Sequence, residues 1–199
     1  ATKGNSIPSK SQICDFIFLL LNYSYIVYIN YFRIFYKMNK FTVPDICDEF
    51  EDKIQIGDLF LNSYGLQEKF YGKIQTARCE HSNKVVKEIV TQNVEDMVLF
   101  IQHTGIEKCS MVGDQIAQMA YENGWKGIIT NGYIRDAEVI KEIPIGVYAL
   151  NTYPKKTDKS IGVGEIGVNL KFDKFIVRPD EWIYVDTNGW VISKEKLEF

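Results

Sequence analysis

The chain is poor in the residues that hold soft metals or build disulfide frameworks. Its 199 residues include two histidines, His81 and His103, and four scattered cysteines, Cys14, Cys47, Cys79 and Cys109, with no CxxC pair. That pattern excludes a zinc finger or a cysteine-stapled secreted scaffold. The thiols read as reduced and mostly buried, which points to an intracellular, cytoplasmic protein. The two histidines are isolated and read as structural or surface groups. A surplus of positive charge is also missing. The formal net charge is −3, and residues 1–37 carry Lys3, Lys10, Arg33 and Lys37 against Asp15 alone, leaving 19 basic and 25 acidic residues after position 37. A body of net charge −6 lacks the clustered cations that grip nucleic-acid phosphates, so no direct nucleic-acid binding is expected. Any anionic substrate must be met by a local positive site.

Long apolar runs are scarce as well. The longest uncharged stretch is the seventeen residues of 16–32, at the lower edge of the roughly 17–25 needed to cross a bilayer. Asn22, Ser24, Asn30 and several tyrosines lower its hydropathy, and Asp15 stands where a signal peptide would carry a basic region. A membrane span is not expected. Residues 1–37 read as an N-terminal extension, either translated from upstream of the natural start or weakly membrane-associating, because Met38 opens a conventional domain.

From Met38 onward the sequence is ordinary for a globular protein: 46% apolar and 25% charged residues across the chain suit one domain with a substantial core, over 38–199. Thr42 is a candidate N-cap for a helix reaching Phe50, with apolar residues at Val43, Ile46, Cys47 and Phe50. Residues 70–79 are rich in strand formers, and 82–90 read as an amphipathic helix. The apolar run 96–102 predicts a strand covered on both faces. A loop over 103–111 then leads to a helix from about Val112 to Asn123, ended by Gly124; 126–131 is a strand, 135–141 a short helix and 146–150 another strand. This alternation is the α/β signature. Strands are expected again at 166–172, 175–178, 182–185 and 190–193, with a hairpin turn at Asp186-Thr-Asn-Gly.

Asp114, Arg135 and Asp136 stand out within SMVGDQIAQMAYENGWKGIITNGYIRDAEVI. Two carboxylates with an arginine beside one of them offer hard oxygen ligands for a divalent ion and a fixed cation for a carboxylate or enolate. Gly113 and Asp114 fall at a helix start, where free amides attract anions. Arg135 and Asp136 fall at the next strand-to-helix junction, and in a parallel α/β unit such junctions share one sheet edge. Spacing alone also allows a helix cap and a surface ion pair. Lys155, Lys156 and Lys159 add a cationic loop, and Glu165 is a further acid near it.

Five segments carry a resemblance: CDEFEDKIQIGDLFLNSYG, FYGKIQTARCEHSNKVVKEIV, VGDQIAQMAYENGWKGIITNGYIRDAEVI, ALNTYPKKTDKSIGVGE and PDEWIYVDTNGWVIS. In order, they resemble the family of the regulator of ribonuclease activity A, which also contains class II 4-hydroxy-4-methyl-2-oxoglutarate aldolases. The resemblance covers about Phe41 to Ser193. It implies an α/β fold with a swivelling β/β/α core, assembled as a ring-shaped homotrimer that can pair into a hexamer. It also implies a lyase that needs Mg2+ or another divalent cation such as Mn2+, acting on a small 2-oxo acid. Carried over by position, Asp136 is the direct metal ligand and Asp114 reaches the metal through water. Arg135 and Asp114 are the catalytic pair, and Asp114, Arg135 and the backbone amides near Met111, Val112 and Gly113 bind substrate. The reactions implied are cleavage of 4-hydroxy-4-methyl-2-oxoglutarate and decarboxylation of oxaloacetate, both through a pyruvate enolate. The family's other role, inhibition of a ribonuclease partner, is the alternative. Regulator members can lack the acid of the Arg-Asp pair, and this chain keeps Asp136. Two departures stand out: Gln102-His-Thr-Gly where an Asp- and Gly-rich stretch is expected, and Phe172-Asp-Lys-Phe in place of a Gly-Gly turn.

Overall fold

In the computed structural model, residues 41–158, 160 and 164–199 are described; the extension read at 1–37 and Lys159 lie outside them. Residues Thr42–Phe199 form one compact unit. Its first helix, α1 (Val43–Glu49), starts as its sequence dictates: the Thr42 hydroxyl accepts a hydrogen bond from the Asp45 amide at 3.2 Å, with a proline in the first turn.

The chain then builds a mixed sheet from β1 (Ile54–Ile56), β2 (Asn62–Ser63), β3 (Phe70–Cys79), β4 (Met97–His103), β5 (Ser110–Val112), β6 (Gly127–Ile134), β7 (Gly146–Thr152), β8 (Glu165–Ile166), β11 (Trp182–Asp186) and β12 (Gly189–Ser193), while β9 (Leu170–Lys171) and β10 (Ile176–Val177) pair separately. The main path runs β1-β12-β11-β3-β4-β6-β7-β2. At its centre β3, β4, β6 and β7 are mutually parallel. Their crossovers carry α2 (Lys84–Val90), α3 (Asp114–Glu122) and α4 (Ala137–Ile140), as parallel neighbours require.

The apolar run in β4 alternates between two cores. Leu99 and Ile101 enter one cluster with α2 and α3, and Val98 and Phe100 enter the other with β9, β10 and the β11–β12 hairpin. All four side chains are fully buried, each worth about 1.5–3 kcal/mol of transfer free energy. In the second cluster Phe70 lies over Gly127 and Gly146, which are register partners in β6 and β7, and a Cβ on either would stand 2.3 or 2.1 Å from its ring. The helix-lined cluster depends on a clean end to α3. Gly124 adopts φ +86°, its amide donates to the Tyr121 carbonyl, and the Trp125 amide donates to Ala120, the pairing that satisfies a helix's last carbonyls.

Several boundaries differ from expectation. The loop expected over 103–111 ends in β5, and Val112, expected to open a helix, is a strand residue. Pairing with β6 decides this: the Arg135 amide donates to the Val112 carbonyl at 3.0 Å. β6 runs on to Ile134 through a register shift between Thr130 and Tyr133, where the Gly132 amide is taken by the Thr130 hydroxyl. The helix expected from Arg135 is only the four residues of α4. The 166–172 strand is broken in two, β8 and β9. At Phe172-Asp-Lys-Phe the rings of Phe172 and Phe175 stack at 4.5 Å across a tight β9–β10 turn.

Candidate functional site

The parallel strands point one set of ends at one place. Asn83 follows β3, Gly113 and Asp114 follow β4 and β5, Arg135 and Asp136 follow β6, and Lys156 and Thr157 follow β7. Ligands of open α/β sheets bind outside these carboxyl ends. Here they wall a cavity of about 110 Å³ whose lining includes Asn83, Gly113, Asp114, Arg135, Lys156 and Thr157. That volume holds several waters or a small organic anion.

Gly113 sets the closest approach. It caps α3 in an extended conformation, φ −127° and ψ −179°, with no side-chain capping bond. Its backbone therefore does not need glycine; the space does. A Cβ there would sit 2.9 Å from Asp136 Oδ2 and 3.3 Å from Arg135 Nε. The two segments singled out in the sequence thus touch across twenty intervening residues. With the cap position bare, the first amides of α3 keep their capacity to bind an anion.

Asp136 is held in a left-handed conformation, φ +60° and ψ +38°, a strained region for a residue with a Cβ and one found disproportionately at functional sites. Its carbonyl accepts the Val139 and Ile140 amides, both at 3.0 Å, while its carboxylate makes no cap. That carboxylate instead meets Arg135 Nε at 3.3 Å, both side chains being about two-fifths exposed. The pair is open to solvent.

The expected residues differ in what they can offer. The Met111 and Val112 side chains are fully buried in the helix-lined core, so only their backbone can serve the site. The Met111 carbonyl is already taken, by Asn83 Nδ2 at 2.9 Å. Lys156 lines the cavity, but Lys155 pairs with Glu107 at 3.0 Å and Glu165 pairs with Arg78 at 2.7 Å. Sequence reasoning passed over Asn83, Lys87, Ser110 and Thr157, which also line the cavity. Their signal was faint: a polar Ser-Asn pair before a helix and a Thr beside two lysines. Neither thiol near this region is activated. Burial pushes Cys79 up to about 12 and raises Cys109 as well, the reverse of what a cysteine nucleophile needs.

A family model described as RraA-like, Aldolase/RraA, matches residues 43–192. The chain belongs to the RraA-like family. A Vibrio parahaemolyticus serotype O3:K6 protein is 44% identical over 156 residues, 78% of this chain and 97% of its own length, and carries the provisional name 4-hydroxy-4-methyl-2-oxoglutarate aldolase. A Marinomonas protein with the same provisional name is 37% identical over 155 residues, 78% of this chain and 96% of its own. Among solved structures, the RNA-processing inhibitor RraA from Thermus thermophilis superposes with a TM-score of 0.75 at 29% identity, covering 80% of this chain and 96% of that one. A Geobacillus kaustophilus structure named as an S-adenosylmethionine: 2-dimethylmenaquinone methyltransferase does so at 0.75 and 34%, covering 79% and 97%. Three functional names on one RraA-like scaffold mean that activity must be argued from the side chains at the cavity. No helix among the described residues is long and apolar enough to cross a membrane.

Proposed function

We propose that this RraA-like protein is a divalent-metal-dependent carbon–carbon lyase that cleaves 4-hydroxy-4-methyl-2-oxoglutarate to pyruvate and decarboxylates oxaloacetate. The observation that carries the reading is the Arg135–Asp136 pair pressed against Gly113 beside a cation-bearing cavity. The relatives' provisional name supports it.

The donor set suits a hard cation. Asp136 offers carboxylate oxygen at the position a Gly113 methyl would crowd, and Asp114 lines the cavity together with that glycine. Among the described residues no three His, Cys, Asp or Glu side chains converge, and a divalent cation here would be held by carboxylate oxygen from Asp136 and Asp114 alone, hard ligands of the kind Mg2+ takes. Asp136 would hold the ion directly and Asp114 through water, and the ion would supply Lewis-acid stabilisation of negative charge on the 2-oxo acid.

The remaining steps belong to the chain. The amides opening α3 and the Arg135 guanidinium receive the carboxylate next to the keto group. Lys87 and Lys156, on the cavity wall, meet the distal carboxylate. In the aldol cleavage Asp114 takes the C4 hydroxyl proton through water, the C3–C4 bond breaks, and its electron pair moves to C3 and the keto oxygen as pyruvate enolate. The carbon that loses the bond leaves as a second pyruvate, or as carbon dioxide from oxaloacetate, and a proton on C3 completes the product. Arg135 stabilises the anion common to both reactions.

The test is pyruvate release from oxaloacetate by purified protein with Mg2+, compared with Mg2+ alone. Release above the metal-only rate that disappears with chelator is expected; a rate equal to free metal rejects the reading. A second reading, regulation of a ribonuclease by protein binding, is supported by likeness to the Thermus thermophilis inhibitor. An RNA-cleavage assay separates the two, because inhibition through an outer surface survives Asp136→Ala.

A further inference from the structure

Asn83 stands at the N-cap of α2, where its side chain would ordinarily accept a bond from its own helix, yet it makes no capping bond. Both ends are spent elsewhere. Nδ2 donates to the Met111 carbonyl at 2.9 Å, and Oδ1 accepts the Thr157 hydroxyl at 2.9 Å. Asn83 and Thr157 are 8% and 4% exposed, so the bridge is shielded from water, where an unpaired polar group is costly. Thr157 belongs to a strap laid along β5. The Ser110 amide donates to the Lys155 carbonyl at 2.9 Å, Ser110 and Lys156 form a parallel bridge, and the Asp158 amide donates to the His81 carbonyl at 3.1 Å. Within that strap Thr157 points inward and Lys156 is exposed on the cavity wall, as alternation along an extended segment requires.

We infer that Asn83 is a positioning residue that clamps the strap through Thr157 and so fixes Lys156 for the distal carboxylate of the substrate. The inference rests on the lyase reading above. The clamp spans 74 residues of sequence, and it joins the strand that leads to Gly113 to the strap that carries the cation. Breaking it frees Lys156 without touching Arg135 or Asp136, so binding of the dianion weakens while the bond-breaking step is spared.

The experiment measures pyruvate release from 4-hydroxy-4-methyl-2-oxoglutarate, whose distal carboxylate survives the cleavage, with Mg2+ for the full chain and for Asn83→Ala, Thr157→Val, Thr157→Ser and Lys156→Met, together with amide hydrogen exchange over residues 155–158. Thr157→Val is nearly isosteric and serves if Asn83→Ala fails to fold. The expected result is a KM raised at least fivefold in Asn83→Ala, Thr157→Val and Lys156→Met with kcat within twofold, faster strap exchange in the first two, and wild-type behaviour in Thr157→Ser, which keeps the hydroxyl. An active wild type whose KM is unmoved in Thr157→Val overturns the inference, as does an equal KM rise in Thr157→Ser. A wild type that releases no pyruvate removes the lyase reading itself, and the inference with it.

Discussion

Gly113 and Asp136 meet so closely that a single methyl group on the glycine would lie 2.9 Å from the carboxylate oxygen Oδ2. Because the Gly113 backbone is extended, alanine fits its φ and ψ without strain. Gly113→Ala should therefore leave the urea unfolding midpoint near that of the wild type while displacing Asp136 and Arg135. A shift of this kind costs on the order of 10²-fold in kcat/KM. Pyruvate release undiminished in Gly113→Ala would show that the contact plays no part in the proposed reaction.

Asp136 combines a backbone demand with a chemical one, and two substitutions separate them. Asn tolerates the left-handed region, so Asp136→Asn should fold with nearly unchanged stability. Asp136→Ala should lose about 1–2 kcal/mol from the φ of +60°. Both should lose pyruvate release by about 10²–10³-fold, as should Arg135→Ala. Chemical denaturation and steady-state kinetics on the same preparations decide the matter.

The glycines beneath Phe70 are a test of packing rather than chemistry. A Cβ on Gly127 would overlap the Phe70 ring, and overpacking of this kind costs about 1–3 kcal/mol. Gly127→Ala should be destabilised accordingly. Phe70→Leu introduced into that variant should recover part of the loss, as read from urea midpoints. Additive losses would mean that the ring does not sense the new methyl.

His103 gives stability a pH dependence. Burial holds its pKa below the ordinary 6.5, against an opposing hydrogen bond with the Glu80 backbone. Folding thus favours the neutral ring, with Nε2 facing Cys109 Sγ at 3.7 Å. Its contribution is complete above about 6.5 and is lost as pH falls through the lower folded value. An NMR titration should find the His103 midpoint below 6.5, and His103→Gln should flatten the acid limb of the stability curve. A midpoint above 6.5 would contradict the burial of the ring.

Much of the fold was legible from local signals. Thr42 caps its helix, the 96–102 run is buried on both faces, and Arg135-Asp136 sits at a strand-to-helix junction. Local signals failed where distant pairing decided the outcome. Val112 looked helical in its own sequence and is a strand because β6 pairs with it. Asn83 and Thr157 carried no sign of each other across 74 positions. Among the loop lysines, sequence alone could not say that Lys156 would line the cavity while Lys155 turned to Glu107.

The gathering of cavity residues at the carboxyl ends of β3, β4, β6 and β7 divides the molecule between inheritance and invention. The apolar side chains that make folding favourable lie within the sheet and beneath the helices, whereas the polar and charged groups that line the cavity hang from the segments that leave it. Those segments can be rewritten one at a time, with little penalty to the interior. A scaffold arranged in this way can pass from one chemistry to another, or give up chemistry for protein contact, through a few substitutions at its rim.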